Sequence, residues 1–104
     1  MRQIDENSVI GTSYQGEITI SYQALVKKFG PPGSVGDQYK IDAEWELQTP
    51  FGIATIYNWK TGRAYNGQYG SPVKFITTWH IGGHNKQVVE YIYKLWPELI
   101  LNKL

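Results

Sequence analysis

The stretch YKIDAEWELQTPFGIATIYNWK, residues 39–60, decides the fold. Its first half alternates. Tyr39, Ile41, Ala43, Trp45 and Leu47 fall on one side of an extended chain, and Lys40, Asp42, Glu44, Glu46 and Gln48 on the other. A period of two with one apolar and one charged side predicts a half-buried strand. In TPFG, Pro50 fixes φ and Gly52 tolerates a positive φ, so the chain turns there. Residues 53–60, IATIYNWK, are again rich in β-branched and aromatic side chains. Two such strands on a short turn predict an antiparallel hairpin.

Upstream, residues 1–7 are polar and read as a frayed start. SVIGTSYQGEITI (8–20) is β-branched and broken by Gly11 and Gly16, which predicts a short extended segment. SYQALVKKFG follows. Ser21 suits an N-cap, and Tyr22, Leu25, Val26 and Phe29 share a helical face. Lys27 and Lys28 suit the helix C-terminus, Gly30 can end it, and Pro31–Pro32 stop it. Downstream, residues 61–72 are rich in turn formers and read as a long loop. VKFITTWHI (73–81) predicts another strand, ended by a Gly82–Gly83 turn. His84 or Asn85 then caps a helix with an apolar stripe of Val88, Val89, Ile92, Leu95, Trp96 and Leu99. Pro97 kinks that helix or opens a further turn. The order β-α-β-β-β-α predicts an α+β two-layer sandwich. It has an antiparallel sheet of roughly three to five strands with two helices on one face.

A chain of 104 residues suffices for a single domain, 1–104, and is too short for two. With 41% hydrophobic and 14% aromatic residues, it can bury a core without covalent staples. Ten basic and nine acidic residues leave a net charge of +1, which disfavours direct binding to nucleic acid or to a membrane surface. The absence of cysteine excludes disulfides, cysteine-based zinc sites and thiol catalysis. There is no apolar stretch of transmembrane length and no signal-peptide core in residues 1–7. A cytoplasmic protein is the expectation.

His80 and His84 have H-x-x-x-H spacing, but Gly82 and Gly83 between them disfavour the helix that would align them on a metal. A third ligand is also not apparent. No metal or other cofactor is expected. As general bases, these histidines need a nucleophile and an oxyanion donor, and Ser71, Thr77 and Thr78 sit in no nucleophile-elbow pattern. The expectation is therefore a non-enzyme, with a small hydrolase using His80 or His84 as a secondary alternative. A Gly82–Gly83 turn opening a helix could present backbone N–H groups to an anion, helped by Lys60, Arg63 or Lys74, or could simply make the turn. Among the aromatics, Tyr57 and Trp59 share a strand face, where rings could stack on a base or anchor a partner; Trp59 and Trp79 read as core, and Tyr65 and Tyr69 as loop anchors for a partner. The candidate contact set is Arg63, Tyr65, Tyr69, Trp79, His80, Gly82, Gly83, His84 and Asn85. The acidic row Asp42, Glu44 and Glu46 is a solvated strand face that could meet a basic partner.

Four patterns in this chain are DAEW (42–45), ATIYNWKTG (54–62), YNG (65–67) and WHIGG (79–83). Together with GTSYQG and SYQALVKKFGPP upstream, they resemble a family of small uncharacterised proteins encoded by phages and prophages. The resemblance spans nearly the whole chain beyond its first few residues. It implies an origin more than a mechanism and carries no catalytic residues. Small phage proteins of this size are often inhibitors of host systems, either anti-CRISPR proteins or sponges for nucleotide immune signals. The implied function is a non-enzymatic protein that binds a host protein in the host cytoplasm, with a homo-oligomer as one option. The alternative is a nucleotide sponge acting at the Gly82–Gly83 turn.

Overall fold

A computed structural model of the chain describes residues 12–33 and 40–97. The expectations for residues 1–7, Tyr39 and Leu99 lie outside these. The elements run β1 (Ser13–Thr19), α1 (Tyr22–Phe29), β2 (Glu44–Thr49), β3 (Gly52–Tyr57), α2 (Arg63–Asn66), β4 (Thr78–Gly83) and α3 (Gln87–Lys94). The four strands form one antiparallel sheet in the order β1-β4-β3-β2. The predicted α+β sandwich is correct. Among the described residues, no helix is long and apolar enough to cross a membrane.

The alternation in the opening stretch does what its period dictates. Ile41, Ala43, Trp45 and Leu47 are buried. Trp45 pairs with Ile56 and Leu47 with Ala54 on the helix-bearing side of the β2–β3 hairpin. Thr49 locks the turn: its hydroxyl donates to the Gly52 carbonyl at 2.6 Å and accepts from the Phe51 N–H at 3.0 Å. Gly52 has φ +95°, a value that favours glycine.

Helix α1 has the predicted caps. The Ser21 hydroxyl accepts from the Ala24 N–H at 3.1 Å, and Gly30 at φ +85° returns its N–H to the Val26 carbonyl. Two tryptophans hold its ends to the sheet. The Trp79 indole N–H donates to the Ile20 carbonyl at 3.0 Å, just before the helix. The Trp45 indole N–H donates to the Gly30 carbonyl at 2.9 Å, just after it. Between them, Tyr22 lies 5.9 Å from Trp45 and 6.3 Å from Trp79, and the two tryptophans meet edge to face at 5.4 Å. These rings bury large areas while each polar edge keeps a partner. Helix α3 adds Val88 and Ile92 to the same core and closes at Lys94; Trp96, just past its end and ahead of Pro97, is buried there too.

Several boundaries differ from expectation. The second strand begins at Glu44 rather than at residue 39, and a short helix, α2, forms within the expected loop of residues 61–72. The third strand ends at Tyr57 rather than Lys60, because the buried Asn58 side chain takes the hydrogen bonds there. Its Oδ1 accepts from the N–H groups of Asp42 and Ala43 at 2.7 and 3.0 Å, and its Nδ2 donates to Asp42 Oδ1 at 2.9 Å. The fourth strand begins at Thr78 rather than Val73. After Pro72, residues Val73–Phe75 form a tight 3-10 turn, closed by Phe75 N–H to the Pro72 carbonyl and Ile76 N–H to the Val73 carbonyl. The largest correction concerns Gly82 and Gly83. They do not turn the chain; they are the end of β4, paired to Tyr14 and Ser13 on one side and to Thr55 and Ala54 on the other.

Their lack of side chains serves close packing. A Cβ on Gly83 would lie 2.7 Å from Val88 Cγ2, and one on Gly82 would lie 2.5 Å from Thr55 Oγ1. Gly83→Val is therefore expected to destabilise the protein by about 2–3 kcal/mol. Because Val88 is the clashing group, the combined cost of Gly83→Ala and Val88→Ala should be smaller than the sum of the two single costs. Thermal melts of the two single variants and the double variant check this, and strict additivity would contradict it.

Candidate functional site

Both long helices pack on one face of the sheet. The opposite face carries, by register, Tyr14 and Glu17 of β1, His80 of β4, Tyr57 of β3 and Glu44 and Glu46 of β2. No described helix packs over this strip. The face is not bare throughout: Thr55 and Ile53 are buried, whereas Tyr14 is 52% exposed. The accessible part is a groove of about 340 Å³ lined by Tyr14, Tyr57, Trp59 and His80.

Local devices build this groove. The β1–β4 register slips between Tyr14 and Gly16, where an extra residue, Gln15, bulges and donates its side-chain N–H to the Gly83 carbonyl at 3.0 Å. Across a regular strand, residues three apart face opposite ways. The bulge resets the alternation, so Tyr14 and Glu17 share one face. The Tyr14 hydroxyl accordingly donates to Glu17 Oε1 at 3.2 Å. Gly82 lies close to the Tyr57 ring, since a Cβ there would sit 3.4 Å from it.

The rings meet edge to face. Tyr14 and His80 lie 4.9 Å apart, Tyr57 and His80 5.5 Å, and Tyr57 and Trp59 6.2 Å. At the Trp59 end stand cations: Lys40 Nζ is 5.3 Å and Lys60 Nζ 5.9 Å from the Trp59 ring, and Lys60 Nζ is also 5.3 Å from the Tyr65 ring. Lys60 reaches both rings from a left-handed backbone, φ +59°, a conformation uncommon for a residue with a side chain. Its N–H donates to the Lys40 carbonyl, and its carbonyl accepts from Asn66 Nδ2. At the other end, Glu17 Oε1 lies 3.8 Å from His80 Nε2. That is an ion-pair separation, too long for a hydrogen bond.

Charge at this end acts on the phenols. Burial, then the Glu44 carboxylate, then Tyr14 push the Tyr57 pKa above its ordinary value, because each disfavours a phenolate. Desolvation, the Glu17 charge and its hydrogen bond raise Tyr14 in the same direction. The folded state thus holds the Tyr57 proton more tightly than the unfolded chain does. The resulting stability is complete below the unfolded tyrosine value of about 10 and is lost as pH rises through the higher folded value. Tyr57→Phe is expected to flatten the decline in denaturant midpoint above pH 10. A decline as steep as the parent's would contradict this placement.

The sequence-derived candidates fall into several places. His80 lines the groove. Trp79 is fully buried in the core and has no exposed contact surface. Gly82 and Gly83 are buried in sheet ladders, so their backbone groups cannot form the anion cradle foreseen for a turn. His84 is exposed in the bend after β4 and caps nothing. Nor is Asn85 the N-cap, a position Lys86 holds without a side-chain bond; from one residue earlier, Asn85 Oδ1 accepts from the Gln87 N–H at 3.0 Å, and its Nδ2 donates to the Phe51 carbonyl. Arg63 and Tyr65 are exposed on α2, and Tyr69 is 88% exposed on the 3-10 turn after it; neither tyrosine lines the groove. Asp42 leaves the acidic row. One of its carboxylate oxygens accepts from Asn58 and the other from the Ala64 N–H at the start of α2. Glu44 and Glu46 remain on the outer face, partly buried. Among the described residues, no three His, Asp or Glu side chains come together to hold a metal ion.

Sequence reasoning missed Tyr14, Glu17 and Lys40, named Lys60 only as a helper of an anion-binding turn, and placed Trp59 in the core although it is partly exposed. A spacing-of-two signal did put Tyr57 and Trp59 on one side. Comparison of the chain with protein-family models, with curated proteins and with solved structures found no match in any of the three.

Proposed function

We propose that this chain is a non-enzymatic binding protein that docks on a host protein through the Tyr14–Tyr57–Trp59–His80 groove. Its effect there is to inhibit or redirect a host defence system. The observation that carries the binding reading is the concentration of aromatic side chains on the sheet face that no described helix covers. Rigid aromatic rings with one polar edge dominate the energetic centres of protein interfaces. Three partly exposed rings and an imidazole in contact form such a centre. The carboxylates of Glu17, Glu44 and Glu46 on the same face would repel a phosphate backbone, which favours a protein partner over nucleic acid. The phage origin and the host-directed role rest on the resemblance of the DAEW, ATIYNWKTG, YNG and WHIGG patterns. A small cytoplasmic inhibitor fits that origin.

The test is affinity capture from host lysate with the tagged full chain, followed by binding isotherms with the purified captured protein. Tyr14→Ala and Trp59→Ala should each weaken that binding by about 1–3 kcal/mol, roughly 5- to 150-fold. Tyr69→Ala, away from the groove, should leave it unchanged. Equal affinity for the parent and both groove variants would overturn the reading.

A further inference from the structure

We propose that the groove takes a cationic side-chain head, the guanidinium of an arginine on the partner protein, against the faces of Tyr14 and Tyr57 with Glu17 as counter-ion. This deepens the docking reading above and rests on it. Three observations converge. First, aromatic faces in this neighbourhood already hold cations within the chain, as the ammonium groups over Trp59 and Tyr65 demonstrate. Second, charge is graded along the groove. The lysines crowd the Trp59 end, while the Tyr14–His80 end has Glu17, whose side chain is 52% exposed. The Glu17 contacts are a tyrosine hydroxyl at 3.2 Å and an imidazole nitrogen at 3.8 Å. The Glu44 carboxylate acts on the same end, through its influence on Tyr57. Third, a guanidinium suits both kinds of wall, since its plane stacks on an aromatic face and its edge donates to a carboxylate. A volume of about 340 Å³ accommodates one such head with its aliphatic stem.

The alternative occupant, an anion held by Lys40 and Lys60 with a base on Trp59, is separated by the same experiment. The full chain is titrated with an acetyl-Gly-Arg-Gly-amide peptide and with its citrulline counterpart, a neutral near-isostere. Adenosine monophosphate is titrated in parallel. Side-chain NMR signals of Tyr14, Tyr57 and His80 report binding. The arginine peptide should shift these signals with saturation in the millimolar range, and citrulline should bind about tenfold more weakly. Glu17→Gln should weaken the arginine peptide by a similar factor. Equal response to arginine and citrulline, indifference to Glu17→Gln, or a stronger response to the nucleotide would each overturn the proposal. If the arginine peptide fails while Tyr14→Ala still abolishes partner binding, the cation assignment falls and the docking surface stands. If the peptide binds but groove variants keep the partner, the docking reading falls.

Discussion

Trp79→Ala should destabilise the protein by about 3–5 kcal/mol and lower its melting temperature by roughly 15–30 °C. The side chain is fully buried in the central strand β4. Its removal takes away the ring stacked on Tyr22 and set edge to face on Trp45. It also orphans the Ile20 carbonyl that positions the start of α1. Trp79→Phe separates the two contributions. It keeps an aromatic ring and loses the N–H donor, and should cost about 1–3 kcal/mol. Calorimetric or circular-dichroism melts measure both. A Trp79→Ala variant that melts with the parent would show that the indole is not in the core. Such a result would also reopen its role as a contact residue.

Asn58→Ala should cost about 3 kcal/mol despite removing few atoms. The side chain is fully buried and satisfies two backbone N–H groups ahead of β2 while holding the Asp42 carboxylate. Truncation leaves those donors buried and unpaired, at about 1–3 kcal/mol each before relaxation. Asn58→Asp tests the direction of the bonds. It keeps the acceptor but sets a second carboxylate beside Asp42, so it should be more destabilising at neutral pH than at acid pH. Denaturant titration at two pH values reads this out. An Asn58→Asp variant equally stable at both would indicate that Asn58 does not face Asp42.

Much of the fold was legible because it rests on local periodicity. The alternation through Trp45 and Leu47, the turn chemistry of Thr49 and Gly52, and the caps of α1 are each set by a few neighbouring residues. What was illegible depends on register between distant segments. The bulge at Gln15 is what brings Tyr14 and Glu17 onto one face; Gly16 signals a break in the strand, but not which side chains it brings together. Gly82–Gly83 looked like a turn because glycine pairs usually punctuate chains. Here the governing fact is the proximity of Val88 and Thr55, which only the packed sheet supplies. Asp42 sat in the charged phase of the alternation, yet Asn58 and the start of α2 recruit it. Trp59 lay just past the end of its strand, where the rule that tryptophan belongs in the core no longer applied. The candidate site was therefore only partly visible. Of the groove residues, His80 alone was among the named contacts.

The strand order β1-β4-β3-β2 has a consequence for biosynthesis. The inner strand β4 is the last of the described strands to be translated. As the polypeptide leaves the ribosome, the β2–β3 hairpin can zip from its own turn, but β1 has no neighbour in the sheet until Thr78–Gly83 emerge. The Tyr14 and Glu17 side of the groove is therefore assembled after the Tyr57 side, in one late step. That step joins residues about sixty to seventy positions apart, and such non-local closure slows folding. Until then the apolar side of β1 remains exposed in the nascent chain, which makes this interval the period of greatest exposure to aggregation or to chaperone capture.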